Sequence, residues 1–261
     1  AKLEEARRSN SQPEFKIPVE FNVAAFRFGH SMVRDVYARG LNESHAEVKL
    51  PQIMEQTGIR GGADPTRTSE RGITWGQVFR MAPRTYHLKR ARKTDTQIAK
   101  ELHNCDKPTV AFFTVPVPGQ FRQPALPART RLRGFRVDLP SGEDVAAEIA
   151  RREPDTRVLT EEEIANSRHG EILTEPKYGF RQNTPLWYYI LREAELVQGG
   201  WCLGPVCSHI IADVIIGALA ADSDAYLWAH NWVQTVDGGC DSMSRVLSCS
   251  LAASSSTGSS T

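Results

Sequence analysis

The stretch Pro18–Tyr37 constrains this chain most. Val23, Phe26, His30, Val33 and Tyr37 stand at i−7, i−4, i, i+3 and i+7 about the histidine. On a helix of 3.6 residues per turn that spacing forms one stripe, so it predicts a helix with an imidazole in the middle of its apolar face. Pro18 and Glu20 suit the first turn, and Gly40 after Arg39 suits the end. On spacing alone two uses of the imidazole stay open. It hydrogen-bonds inside a core, as buried polar groups generally do, or it ligates a metal such as haem iron.

Length and composition bound the rest. The 261 residues can form one large domain or two small ones with a real core. A net charge of +1 gives no global pull toward nucleic acid, and no apolar run reaches the 18 or so residues of a membrane span. The N-terminus has neither an initiator Met nor a signal-peptide h-region, which reads as a processed chain or a fragment and indicates no compartment. Five cysteines without a Cys-x-x-Cys argue against a disulfide framework or zinc ribbon. Cys202, Cys207 and His209 match no usual zinc spacing, and small buried thiols are the reading there.

Along the chain, residues 1–17 form a short N-terminal segment, 18–227 the folded body, and 228–261 a Gly/Ser/Thr-rich tail whose composition predicts disorder. Between His45 and Arg71, Pro and Gly punctuation predicts loop. Trp75–Met81 is a short amphipathic piece. The basic cluster Arg80–Lys93 reads as a solvated face rather than a nucleic-acid patch, since aromatic interleaving is missing. A helix is expected over Asp95–Leu102 and a strand over Thr109–Val115. A Pro-rich extended connection follows, through Pro116, Pro118, Pro124 and Pro127. Ser141 with Asp144 predicts a capped helix from Gly142 to about Arg152, and Thr160 caps another. Thr184 reads as the cap and Pro185 as N1 of a helix closed by Gly199-Gly200. Val206, Ile210, Val214 and Ile215 mark a helix expected to be central.

Three blocks carry a family resemblance. Phe21–Val33, with its aromatic-Arg-aromatic-Gly-His-Ser core, resembles the proximal-histidine helix of the animal-type haem peroxidases, the peroxidase–cyclooxygenase superfamily. Arg133-Gly134 followed by Leu139-Pro140-Ser141-Gly142 is similar to its bacterial members. So are Thr184–Glu195 and the run Leu203-Gly204-Pro205-Val206 to Gly217. The resemblance covers about residues 20–227 and corresponds to the C-terminal, proximal-histidine half of the family domain. It implies a mainly α, helical haem-peroxidase-like fold, truncated, with long Pro/Gly-rich loops.

What the resemblance implies for the site is specific. His30 is the iron ligand, Arg27 a haem propionate partner, and Thr130 stands where many members place the Asn or Asp that bonds the proximal histidine. A neutral Thr polarises that imidazole less than a carboxylate does. The implied cofactor is b-type haem, with covalent attachment in the parent left open. The implied partners are hydrogen peroxide and a small reducing substrate. The distal histidine and arginine precede the proximal helix in the family, as do the calcium loop and the haem-linking carboxylates. Only 29 residues precede His30 here, and the chain has no His-Asp or Asp-His pair. The expectation is therefore a chain that supplies the proximal wall of a haem peroxidase and is weakly active or inactive alone. The alternative is a non-catalytic haem-binding or helical interaction module.

Overall fold

The computed structural model describes residues 15–39, 46–56, 91–103, 125–168, 170, 175–176, 180, 183–225 and 228. Helices dominate them. Two compact units are present, one formed by Ala1–Val33 with Arg92–His230 and the other by Arg34–Ala91 with Asn231–Thr261. The amphipathic piece at 75–81, most of the basic cluster, the strand expected over 109–115 and the 235–261 tail lie outside the described residues.

The smaller unit holds an antiparallel hairpin, β1 (Val36–Arg39) and β2 (Ala46–Lys49), in register from Val36 opposite Lys49 to Arg39 opposite Ala46. Helix α1 of that unit is Leu50–Gln56, and the Gln52 side chain accepts from the Lys49 N–H to cap it. The Arg34 guanidinium stacks 4.4 Å from the Tyr37 ring centroid. This corrects two expectations. The His30 helix does not extend to Arg39, and the supposed loop after His45 begins with strand and helix.

In the larger unit the chain enters through α2 (Val19–Val23), a 3-10 turn (Ala25–His30) and, much later, a second 3-10 turn (Lys100–His103) where a helix over 95–102 was expected. Then come α3 (Leu126–Arg136), α4 (Gly142–Ala150), α5 (Glu161–Ala165), α6 (Leu186–Gln198) and α7 (Pro205–Ala221). Helix α3 replaces the end of the expected Pro-rich extended connection. Pro127 sits in its first turn, where a missing N–H costs nothing.

Several ends form as the local chemistry predicts. Ser141 Oγ accepts from Asp144 N at 3.0 Å, and Thr160 with Glu163 completes a reciprocal capping box. Gly199 and Gly200 take φ of +57° and +75° and stop α6, with Gly200 N donating to the Ala194 carbonyl at 2.9 Å. Thr184 does not cap α6. Its N–H and hydroxyl both donate to the Glu143 carboxylate, at 2.9 and 2.6 Å, tying the start of α6 to the start of α4.

The central helix is α6, not α7. Leu186, Trp187 and the whole run Tyr189–Ala194 are buried, including Arg192 and Glu193. Arg192 sends Nε to the Glu163 carbonyl (2.8 Å) and Nη2 to the Asn166 carbonyl (2.5 Å), and it pairs with Glu195 at 3.0 Å. Glu193 Oε2 accepts from Val206 N at 2.9 Å, serving as the N-terminal cap that α7 lacks in its own sequence. Burial pushes its carboxyl up to about 7 despite the backbone N–H groups of Val206 and Cys207. Helix α7 buries Val206, Cys207, Ile210 and Val214 but leaves Ile215 and Ile216 about half exposed, so Ile215 is off the expected face.

Candidate functional site

The segment bearing His30 is not a continuous α-helix. Ala24 leaves the helical region at φ −124°, ψ −66°, and the chain tightens into i→i+3 bonds: Arg27 N to Ala24 O, Ser31 N to Phe28 O, Met32 N to Gly29 O. Tightening frees carbonyls, and tertiary donors take two of them. The Trp187 indole donates to the Arg27 carbonyl at 3.1 Å, and the Cys207 thiol approaches the Ala25 carbonyl at 3.8 Å. At about 120° per residue, positions i and i+4 separate while i and i+3 eclipse. Phe26 therefore leaves the predicted stripe and stands 65% exposed, and the Arg27 charge acts on His30. The core contributions of this stretch are Val23, Ala24, Ala25 and Ser31.

His30 is half-buried, its ring edge-on to Trp187 with centroids 6.2 Å apart and planes at 70°. Nδ1 is buried and has no hydrogen-bond partner. Burial, then the Arg27 charge, hold its pKa down to about 4, so the ring is neutral near pH 7 and keeps a lone pair for a ligand.

Arg27 is the charge beside it, and Arg129 and Arg133 act on Arg27 in turn. Burial lowers the Arg27 pKa, and the charges of Arg133 and Arg129 lower it further. Arg27 Nε donates to the Asn22 carbonyl, a neutral group. Arg129 Nη1 is buried with no partner. Among the described residues, no carboxylate lies within ion-pair distance of Arg27, Arg129 or Arg133. Like charges held together beside an orphaned buried N–H mark a place suited to a multiply charged anion.

Thr130 is brought to the same helix, α3, but not into a bond with His30. Its Oγ1, like His30 Nδ1, is buried and unpartnered. Thr130 lines a cavity of about 490 Å³ walled by Val23, Leu132, Leu139, Phe180, Leu186 and Trp187, and neither His30 nor Arg27 is among the described residues lining it. Trp187 belongs to both places.

Sequence reading reached His30, Arg27 and Thr130 and passed over Arg129 and Trp187. Recognising α3 would have put Arg129 and Arg133 at i and i+4 on one face. Nothing in the sequence signals that a residue 157 positions after His30 packs on its ring. Among the described residues Cys202 is exposed and Cys207 buried, and no group of His, Cys, Asp and Glu side chains is arranged to hold a metal ion. Nor is any described helix long and apolar enough to cross a membrane.

No family model and no curated protein sequence matches the chain. Among solved structures it is similar to peroxidase A from Dictyostelium discoideum, at 17% identity and a TM-score of 0.49, over 84% of this chain. The chain spans about 40% of that protein's length.

Proposed function

We propose that this chain carries the proximal haem-ligand wall of an animal-type haem peroxidase, with His30 as the axial ligand. One observation carries the reading: an imidazole whose buried Nδ1 has no hydrogen-bond partner stands beside Arg27, which Arg129 and Arg133 repel and which, like them, has no carboxylate partner among the described residues. Haem is the ligand with those complementary needs, since its iron takes a neutral imidazole and its two propionates form a dianion. The three sequence blocks quoted above supply independent support for the family.

The residues divide the work accordingly. His30 Nδ1 is the buried nitrogen, which leaves Nε2 for iron. Once Nε2 is committed, Nδ1 carries the proton and needs an acceptor. Of the two other orphaned buried groups, the Thr130 hydroxyl is the one that can accept a hydrogen bond, since Arg129 Nη1 only donates. Arg27, Arg129 and Arg133 would hold the propionates and relieve their own mutual repulsion. When bound, haem supplies the two-electron chemistry of peroxide reduction at the expense of a small organic or halide donor.

This sequence contains no distal His-Asp pair upstream of His30. Turnover by the chain alone is therefore expected to fall orders of magnitude below that of a complete site, since each acid–base or charge-stabilising group contributes about 10²–10³-fold.

The test is a haemin titration of the purified chain followed by absorbance, with His30→Ala alongside. A Soret band saturating at about one haem per chain, with a His-ligated spectrum lost in the variant, is the expected result. An identical spectrum in His30→Ala overturns the assignment.

A further inference from the structure

We propose that Trp187 is the positioning residue for His30: its indole N–H pins the backbone turn that carries the imidazole, and its ring, packed nearly perpendicular to the imidazole, sets the imidazole plane. As a role in ligand presentation, this rests on the haem-ligand reading above.

The geometry supplies two restraints from one side chain. Trp187 Nε1 donates to the Arg27 carbonyl at 3.1 Å, one 3-10 turn before His30. Fixing that peptide fixes the point from which the His30 side chain departs. The indole and imidazole rings then meet at 6.2 Å and 70°, a favoured edge-to-face arrangement. A histidine normally has its ring oriented by a hydrogen bond to the nitrogen that does not ligate. Here Nδ1 has none, so the ring plane is left to packing. A half-turn of the ring about Cβ–Cγ would put Cε1 where Nε2 stood, which for a metal ligand is the difference between presenting a lone pair and presenting a C–H.

Trp187 is well placed to impose this. It is 6% exposed on the most buried helix of the unit, between Leu186 and the run Tyr189–Ala194, so its own position is fixed by the core. The second anchor of the turn, Cys207 to the Ala25 carbonyl, is a weak sulfur contact at the opposite end of the turn from the imidazole. It restrains the backbone but not the ring.

The test uses the full chain in two states with Trp187→Phe, Trp187→Leu and, as a control, Cys207→Ser. In the haem-free chain the His30 ring protons are followed by NMR for the ring-current displacement that an adjacent indole produces. Trp187→Phe keeps an aromatic ring but loses the N–H. It is expected to move those resonances while its melting temperature stays within a few degrees, and to weaken haemin about tenfold, the loss of one hydrogen bond. Trp187→Leu removes both restraints and is expected to weaken haemin about a hundredfold. Cys207→Ser is expected to leave the His30 resonances in place.

The proposal is overturned if Trp187→Phe leaves the resonances and the haemin affinity unchanged, or if Cys207→Ser shifts the resonances as far. If the unaltered chain gives no His30-dependent Soret band, the haem reading fails separately. The haem-free resonances still decide whether Trp187 orients the ring.

Discussion

Arg192 and Arg129 both bring a guanidinium against the helical core of the larger unit, but only Arg192 is provided for. Arg192, 4% exposed, spends its donors on the Glu163 and Asn166 carbonyls and on Glu195. Its neighbours are as complete: Glu193 caps α7, Glu143 takes both donors of Thr184, and the Tyr189 hydroxyl accepts from Leu159 N at 2.9 Å. Arg129 has a buried Nη1 with nothing to bond, and His30 Nδ1 and Thr130 Oγ1 share that condition. These are the three buried side-chain polar atoms without partners among the described residues. An orphaned buried group costs about 1–3 kcal/mol, so folding alone gives no reason to collect three of them around one turn and one helix. The α4–α5–α6 frame is finished by the fold. The His30 region is left with unpaired groups by the fold, which is why we propose a ligand there.

If that contrast is right, the largest effects belong to the frame. Glu193→Ala strands the Val206 N–H in a buried setting and opens a cavity, and should cost about 3 kcal/mol by urea unfolding. A loss below about 1 kcal/mol would mean that the frame does not depend on this carboxylate.

The two regions should also respond to pH with opposite signs. The Glu193 carboxyl is raised in the fold from 4.5 to about 7, so the folded state holds its proton more tightly. That stability is fully present below about 4.5 and is lost as pH rises toward 7. His30 is lowered from 6.5 to about 4, so the unfolded chain binds its proton more readily and stability is lost as pH falls from 6.5 to 4. The slopes oppose each other over most of that window. Glu193→Gln should expose a stability that rises with pH, and His30→Phe one that falls. Equal profiles for both variants and the unaltered chain would erase the distinction.

The smallest effect sharpens it most. Arg129→Met removes an orphaned donor and one of the two charges that press on Arg27, and should change haem-free stability by less than about 1 kcal/mol, in either direction. The same change at Arg192 leaves two part-buried carbonyls without their donor and should cost about 2–3 kcal/mol. Parallel chemical unfolding of the two variants checks this. Comparable losses would place Arg129 in the frame after all.

Much of the frame was legible because its signals are local. Ser141, Thr160 and Gly199-Gly200 act within six residues of themselves, and each acts as expected. Helix α3 was hidden because its first turn holds Pro127 and its body holds Arg129, Arg131, Arg133 and Arg136, which blur an apolar period. The central role of α6 was hidden by Arg192 and Glu193, which read as surface residues until their partners are known. The hairpin depends on a pairing between Val36–Arg39 and Ala46–Lys49 that no window of sequence reveals.

For the site, the sequence by itself determined the His30 and Arg27 pair, because two residues three apart stay neighbours in either an α-helix or a 3-10 turn. It determined the caps and stops for the same reason: their energies are spent within one turn of chain. Tertiary structure decided everything that needs a distant donor or a distant charge. The shift from helix to 3-10 turn came with Trp187 and Cys207, which bind the freed carbonyls from 160 and 182 residues away. The neutrality of His30 and the meeting of Arg27 with Arg129 and Arg133 likewise arise from burial and electrostatics, which act through space and leave no trace in spacing along the chain.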